Sequence, residues 1–214
     1  MASSRGLTLL SILLPLAFAA APAAAEPVRI VALGDSLSAG YGLNAASEAF
    51  PVKLEAALKA KGHEVTVLNA GVSGDTASGG LARLDWSVGA DADAVILELG
   101  ANDALRGVDP ARTKTALDSI LARLGERGVP VLLAGMYAPP NMGDDYKARF
   151  DAIYPDLAEK HGAILYPFFL DGVVADAKLN LPDGIHPTAE GVDVIVERIL
   201  PAAEKLVEAA RSRS

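Results

Sequence analysis

Five short apolar runs, each separated from the next by a stretch of helical character, constrain this chain more than any other feature. They are Val28–Leu33 (VRIVAL), Val65–Asn69 (VTVLN), Ala94–Leu99 (AVILEL), Val129–Ala134 (VPVLLA) and Ala163–Pro167 (AILYP). Most are continuous rather than alternating. A strand with one wet face alternates, whereas a strand covered on both faces does not. Helices are predicted over Phe50–Lys61, Ala111–Arg127, Tyr146–Lys160 and Ala189–Ala210. In the second of these, Leu117, Ile120, Leu121 and Leu124 fall at i, i+3, i+4 and i+7, which makes one apolar face. The last is expected to kink at Pro201. Strand–helix alternation at this spacing predicts an α/β protein: a three-layer α/β/α sandwich around a five-stranded parallel sheet.

The first 25 residues stand apart. Arg5 supplies a positive start, Leu7 to Ala21 is an apolar run, and Ala23-Ala24-Ala25 offers the small residues a signal peptidase requires. The run is shorter than the ~20 residues a spanning helix needs. Residues 1–25 therefore read as an export signal cut before Glu26, residues 26–210 as a single domain, and residues 211–214 as a loose tail. The expectation is a periplasmic or secreted protein with no stable membrane anchor. Part of the 51% hydrophobic content belongs to this segment. The formal net charge of −8 argues against partners held through phosphate neutralisation, so no nucleic acid is expected. There is no cysteine, which excludes disulfide scaffolds, thiolate metal sites and a cysteine nucleophile.

In an open parallel sheet, ligands bind beyond the carboxyl ends of the strands. The segments found there are Gly34-Asp35-Ser36-Leu37 after the first strand, Gly71-Val72-Ser73-Gly74-Asp75 after the second and Gly100-Ala101-Asn102-Asp103 after the third. Gly135-Met136-Tyr137-Ala138-Pro139-Pro140 follows the fourth, and Asp183-Gly184-Ile185-His186 precedes the last helix. Of the three histidines, His63 and His161 precede strands and belong to the opposite end of the sheet. Only His186 reaches the carboxyl edge, with Asp183 three residues before it to orient the imidazole. Ser36 reads equally as a helix N-cap or as a nucleophile. An oxyanion needs donors, and the candidates are the Ser36 N–H, Gly74 and the Asn102 amide. Gly74 also reads as a turn residue and Asn102 as an Asx-turn residue. A phosphate-loop reading fails, because neither the Gly-x-x-x-x-Gly-Lys pattern nor a third glycine after Gly40-x-Gly42 is present.

The stretches GDSLSAGYG, SGDT, GAND-ALRG and LPDGIHPTAEG, in that order, resemble the sequence blocks of the SGNH, or GDSL, hydrolase superfamily. They are most similar to its periplasmic thioesterase I/lysophospholipase/arylesterase subgroup. The resemblance covers essentially the whole chain after residue 25 and implies a flavodoxin-like fold. It implies Ser36 as nucleophile, His186 as base, Asp183 as the residue orienting that base, and Ser36, Gly74 and Asn102 as oxyanion donors. Asp35 is expected to hold its loop rather than react. Ala101 departs from the glycine found in many relatives. Ala104-Leu105-Arg106-Gly107 resembles the subgroup's mobile substrate loop, which makes Leu105 a candidate acyl contact. Tyr137 and Pro139, in the segment Gly135–Asp145, are candidates for the substrate wall. The expected activity is hydrolysis of aryl or short to medium acyl esters, and of acyl thioesters or lysophospholipids. No cofactor or metal is implied, and a monomer is expected. A carbohydrate O-deacetylase of the same superfamily and a non-catalytic flavodoxin-like binding module are the competing readings.

Overall fold

A computed structural model describes residues 26–213. The predicted export signal therefore lies outside the described residues. In chain order the elements are β1 (Val28–Gly34), α1 (Ser36–Ala39), α2 (Phe50–Ala60), β2 (Val65–Gly71), α3 (Ala77–Ala82), α4 (Leu84–Ser87) and β3 (Ala94–Glu98). There follow α5 (Ala101–Leu105), α6 (Pro110–Glu126), β4 (Val131–Ala134), α7 (Asp144–Asp151), α8 (Ile153–His161), β5 (Ile164–Tyr166) and α9 (Ala189–Arg211). The strands form one parallel sheet in the order β2-β1-β3-β4-β5. Helices α2 and α9 pack together on one face, and α3, α6 and α8 on the other. The inner runs are buried as expected, with all five residues of β3 and all four of β4 out of solvent, whereas the edge strands β2 and β5 are partly exposed because each has a sheet neighbour on one side alone.

Three of the departures from expectation have a local reason. The fourth strand starts at Val131 rather than Val129. Pro130 accepts from the Val95 N–H but has no N–H of its own to extend the ladder. The predicted helix over Tyr146–Lys160 is two helices, α7 and α8, meeting at Ala152. Pro155 explains the break, since its ring would clash with the Asp151 carbonyl and it cannot donate to it. Residues 211–213, expected to be loose, carry on from α9, and Arg213 donates to the carbonyls of Asp93 and Arg127.

Helix α9 buries Val192, Ile195, Val196, Ile199, Ala203, Leu206, Val207 and Ala210, an unbroken helical stripe. It continues through Pro201 because that residue and Glu197, whose carbonyl loses its partner, both face solvent.

The sheet register sets up the site. Gly34, the last residue of β1, is level with Gly71 of β2 and with Glu98 of β3. A Cβ on Gly71 would stand 2.3 Å from the Ala39 nitrogen. Only glycine lets the end of β2 lie directly against α1, the helix that opens with Ser36.

Candidate active site

Ser36 is the first residue of α1, and the helix is capped by Asp35, whose Oδ1 accepts the Leu37 N–H at 3.0 Å. The capping role open to Ser36 is thus taken by its neighbour, and the Ser36 hydroxyl is left to other work. That hydroxyl lies 2.8 Å from His186 Nε2. On the other side of the ring, His186 Nδ1 lies 2.7 Å from Asp183 Oδ2. The second oxygen of Asp183 accepts the backbone N–H groups of Ile185, at 2.9 Å, and His186, at 3.0 Å. The His186 backbone bond, then that of Ile185 and the imidazole itself, hold the Asp183 carboxyl down at about 2 against the opposing effect of its partial burial. As an anion Asp183 only accepts, so Nδ1 carries the imidazole proton and the Nε2 lone pair faces Ser36.

His63 and His161 are elsewhere, as their positions in the sequence predict. His63 pairs with Glu204 and His161 with Asp118.

Gly74 and Asn102 share one cavity of about 190 Å³ with Ser36 and His186. The Asn102 side chain is anchored, because its Nδ2 donates to Asp35 Oδ2 at 3.0 Å. That bond uses one N–H and leaves the second to a ligand. Asp35 is fully buried, and burial pushes its carboxyl up to about 6, opposed by the bonds from Leu37 and Asn102. Beneath it lies Glu98, also fully buried. Glu98 Oε2 accepts from Ser38 Oγ at 2.8 Å and from the Asp35 N–H at 3.3 Å. Its Oε1 is buried with no partner among the described residues. Burial first, then the charge of Asp35, raise the Glu98 carboxyl well above the usual range, which favours its neutral form.

The loop bearing Gly74 is fastened by Arg83. Its guanidinium donates to Asp75 Oδ2 at 2.7 Å, to the Ala70 and Gly34 carbonyls at 2.8 Å each, and to Ser87 Oγ at 2.9 Å. Arg106 holds the same loop from the other side through the Gly74 carbonyl at 2.7 Å.

A second cavity, of about 470 Å³, adjoins the first and shares Ala101, Leu105, Leu170 and Ile185 with it. Leu105, Tyr137 and Pro139, the three predicted substrate contacts, all line it. Met136 and Pro140 join them, while Met142 sits against Gly107 instead. Phe168, Leu170, Val174 and Ile185 add to a mostly apolar wall, in which Lys147 and Asn180 are the polar members. Sequence reasoning missed the first three. They lie just beyond β5, where the carboxyl-edge rule points, but the segment carries no motif. Tyr41, Arg83 and Glu98 were also missed as parts of the site; Tyr41 and Glu98 lie within or beside a motif but match none of its reactive positions, and Arg83 lies outside every motif.

A family profile described as "GDSL-like Lipase/Acylhydrolase family" matches residues 32–194. An arylesterase of Vibrio mimicus is 39% identical over 201 residues, spanning 94% of this chain and 98% of its own. A thioesterase 1/protease 1/lysophospholipase L1 of Escherichia coli (strain K12) is 37% identical over 185 residues, 86% of this chain and 87% of its own. Among solved structures, that of AlinE4, an SGNH-hydrolase family esterase, superposes with a TM-score of 0.72 at 46% identity, covering 86% of this chain and 98% of that one.

Proposed function

This chain belongs to the GDSL-like lipase/acylhydrolase family, and from that premise we propose that it hydrolyses carboxylic esters through an acyl-enzyme on Ser36. The observation that carries the reading is the unbroken line of hydrogen bonds from Ser36 Oγ through His186 to Asp183, at 2.8 and 2.7 Å. His186 Nε2 takes the hydroxyl proton as Ser36 Oγ bonds to the ester carbonyl carbon. The carbonyl π electrons move onto oxygen, and the oxyanion is met by the N–H groups of Ser36 and Gly74 and the remaining N–H of Asn102. Collapse breaks the bond to the leaving oxygen, which takes the proton from Nε2. Water, deprotonated by His186, then attacks the acyl-enzyme and frees Ser36. Asp183 stabilises the imidazolium in both steps.

The acyl chain is assigned to the 470 Å³ chamber behind Leu105 and Ile185, with Tyr137 and Pro139 in its wall. Its apolar lining favours an alkyl or aryl acyl group over the acetylated glycan of a deacetylase, which would want a polar groove. Thioesters and lysophospholipids fit the same chemistry. All the groups invoked come from one chain, so the working unit is read as a monomer. Residues 1–25 are read as a signal that exports the enzyme to the periplasm or beyond. Among the described residues no helix is long and apolar enough to cross a membrane. N-terminal sequencing of exported protein should begin at Glu26.

A fluorophosphonate should label Ser36 in the folded protein. Ser36→Ala should lose labelling and on the order of 10⁶ in kcat, the usual cost of deleting a triad nucleophile. An unlabelled wild type would instead favour the binding-module reading.

A further inference from the structure

We propose that Tyr41 forms the aromatic wall of the leaving-group side of this site and selects esters whose leaving alcohol is a phenol. The inference rests on the assignment of Ser36 and His186 as nucleophile and base. Tyr41 carries out no step of that mechanism, yet its ring lies 4.5 Å from the His186 ring, tilted by 41°. It lines the cavity that holds Ser36, Gly74 and Asn102 but not the acyl chamber. It is also 54% exposed, so part of the ring is uncovered.

The backbone holds Tyr41 firmly. Both Gly40 and Tyr41 donate their N–H groups to the carbonyl of Ser36, each at 3.1 Å. The flanking Gly40 and Gly42 have φ of +87° and +75°, conformations that side chains resist. A Cβ on Gly40 would meet Ala49 Cβ at 2.9 Å, and one on Gly42 would meet Leu181 Cδ1 at 2.5 Å. Leu181 in turn donates to the His186 carbonyl at 2.7 Å. The Gly-Tyr-Gly turn is thus wedged between the start of α2 and the loop that carries the base. An exposed aromatic ring carried on so constrained a backbone presents a face beside the imidazole.

Geometry says what meets that face. When the tetrahedral intermediate collapses, the bond from the acyl carbon to the leaving oxygen breaks. Its electron pair stays on that oxygen, and the proton moves to it from His186 Nε2. The leaving oxygen must therefore come within about 3 Å of Nε2. The group it carries then lies beside the imidazole, where Tyr41 already stands. The acyl chain occupies the chamber behind Leu105 and the oxyanion faces Gly74 and Asn102, so the side of Tyr41 is the one left for the leaving group. A planar phenol offers Tyr41 an aromatic partner in offset or edge-to-face contact, which an aliphatic alcohol does not.

The test compares phenyl butanoate with cyclohexyl butanoate, which share an acyl group and have leaving groups of similar size. Each variant is referred to wild type on the same ester, so the intrinsic reactivity of the two esters cancels. Tyr41→Leu should lower kcat/KM for the phenyl ester by about twofold to tenfold more than for the cyclohexyl ester. Tyr41→Phe should leave the ratio of the two unchanged. In the wild-type protein, phenol should inhibit at lower concentration than cyclohexanol. Equal losses on both esters, no loss on either, or equal inhibition by the two alcohols would overturn the proposal. Turnover surviving in Ser36→Ala would overturn the assignment of the nucleophile instead.

Discussion

Asp35 Oδ2 accepts a hydrogen bond from Asn102 Nδ2 at 3.0 Å, joining the residue that precedes the proposed nucleophile to a proposed oxyanion donor. A carboxylate can only accept, so it dictates which end of the Asn102 amide faces it and which N–H remains for substrate. Asn102→Ala should cost about 10²–10³ in kcat/KM, as loss of an oxyanion donor does. In Asp35→Asn the new amide can oppose an N–H to an N–H, so it should lose up to the same amount. If Asp35 acts through Asn102, the double variant should be little worse than Asn102→Ala. Simple addition of the two losses in a double-mutant cycle would refute the coupling.

The buried carboxyls Asp35 and Glu98 should make stability depend on pH. Burial raises Asp35 from 3.8 to about 6 and Glu98 well above its ordinary value. Between the unfolded and folded values the native state binds more protons than the unfolded chain. Stability contributed by this pair is therefore present at acid pH and falls as pH rises through that window. Glu98→Gln removes one ionisation, so its stability relative to wild type should improve as pH rises from 5 to 8. Urea unfolding at the two pH values measures this. An unchanged difference between variant and wild type would show that Glu98 does not titrate on unfolding in that range.

Arg83 ties the end of β1, the end of β2 and the loop of Gly74 together with one planar group. Lysine keeps the charge but cannot reproduce the fork. Arg83→Lys should leave partly buried carbonyls without donors and lower stability by about 1–3 kcal/mol. It should also lower kcat on esters while fluorophosphonate still labels Ser36, because the loop slackens but the nucleophile persists. Thermal melts and steady-state rates together would expose the error if Arg83→Lys matched wild type in both.

The apolar chamber should reward longer acyl chains until it is full. At ~0.8 kcal/mol per buried methylene, kcat/KM on p-nitrophenyl esters should rise about fourfold per added carbon. Val174→Trp, which puts a larger ring in the lining, should move the optimum to shorter chains. A flat chain-length series would mean that the acyl group does not enter this chamber.

Much of the site was legible beforehand because it is local. Asp183 and His186 lie three residues apart in one turn, and Ser36 directly follows a strand that its apolar run announces. The motifs of Ser36, Gly74 and Asn102 sit just beyond strands, and parallel pairing alone brings those ends to one edge. The chamber was only half legible. Tyr137 and Pro139 stand in a segment whose place after β4 is predictable, whereas Phe168, Leu170 and Val174 follow the three-residue β5 with no pattern to mark them.

By itself the sequence determined the layers and the parallel sheet, which follow from hydrophobic periodicity, and it nominated the proposed reactive side chains through the resemblance of their blocks to a known family. The tertiary structure decided how the groups are supported. Asp35 rather than Ser36 caps α1, Glu98 lies buried beneath it, Arg83 binds the Gly34 and Ala70 carbonyls together with Asp75, and Tyr41 stands against His186. Apart from the local cap, those relations reach across the chain, and the burial that tunes the carboxyls exists only once the sheet has brought them together.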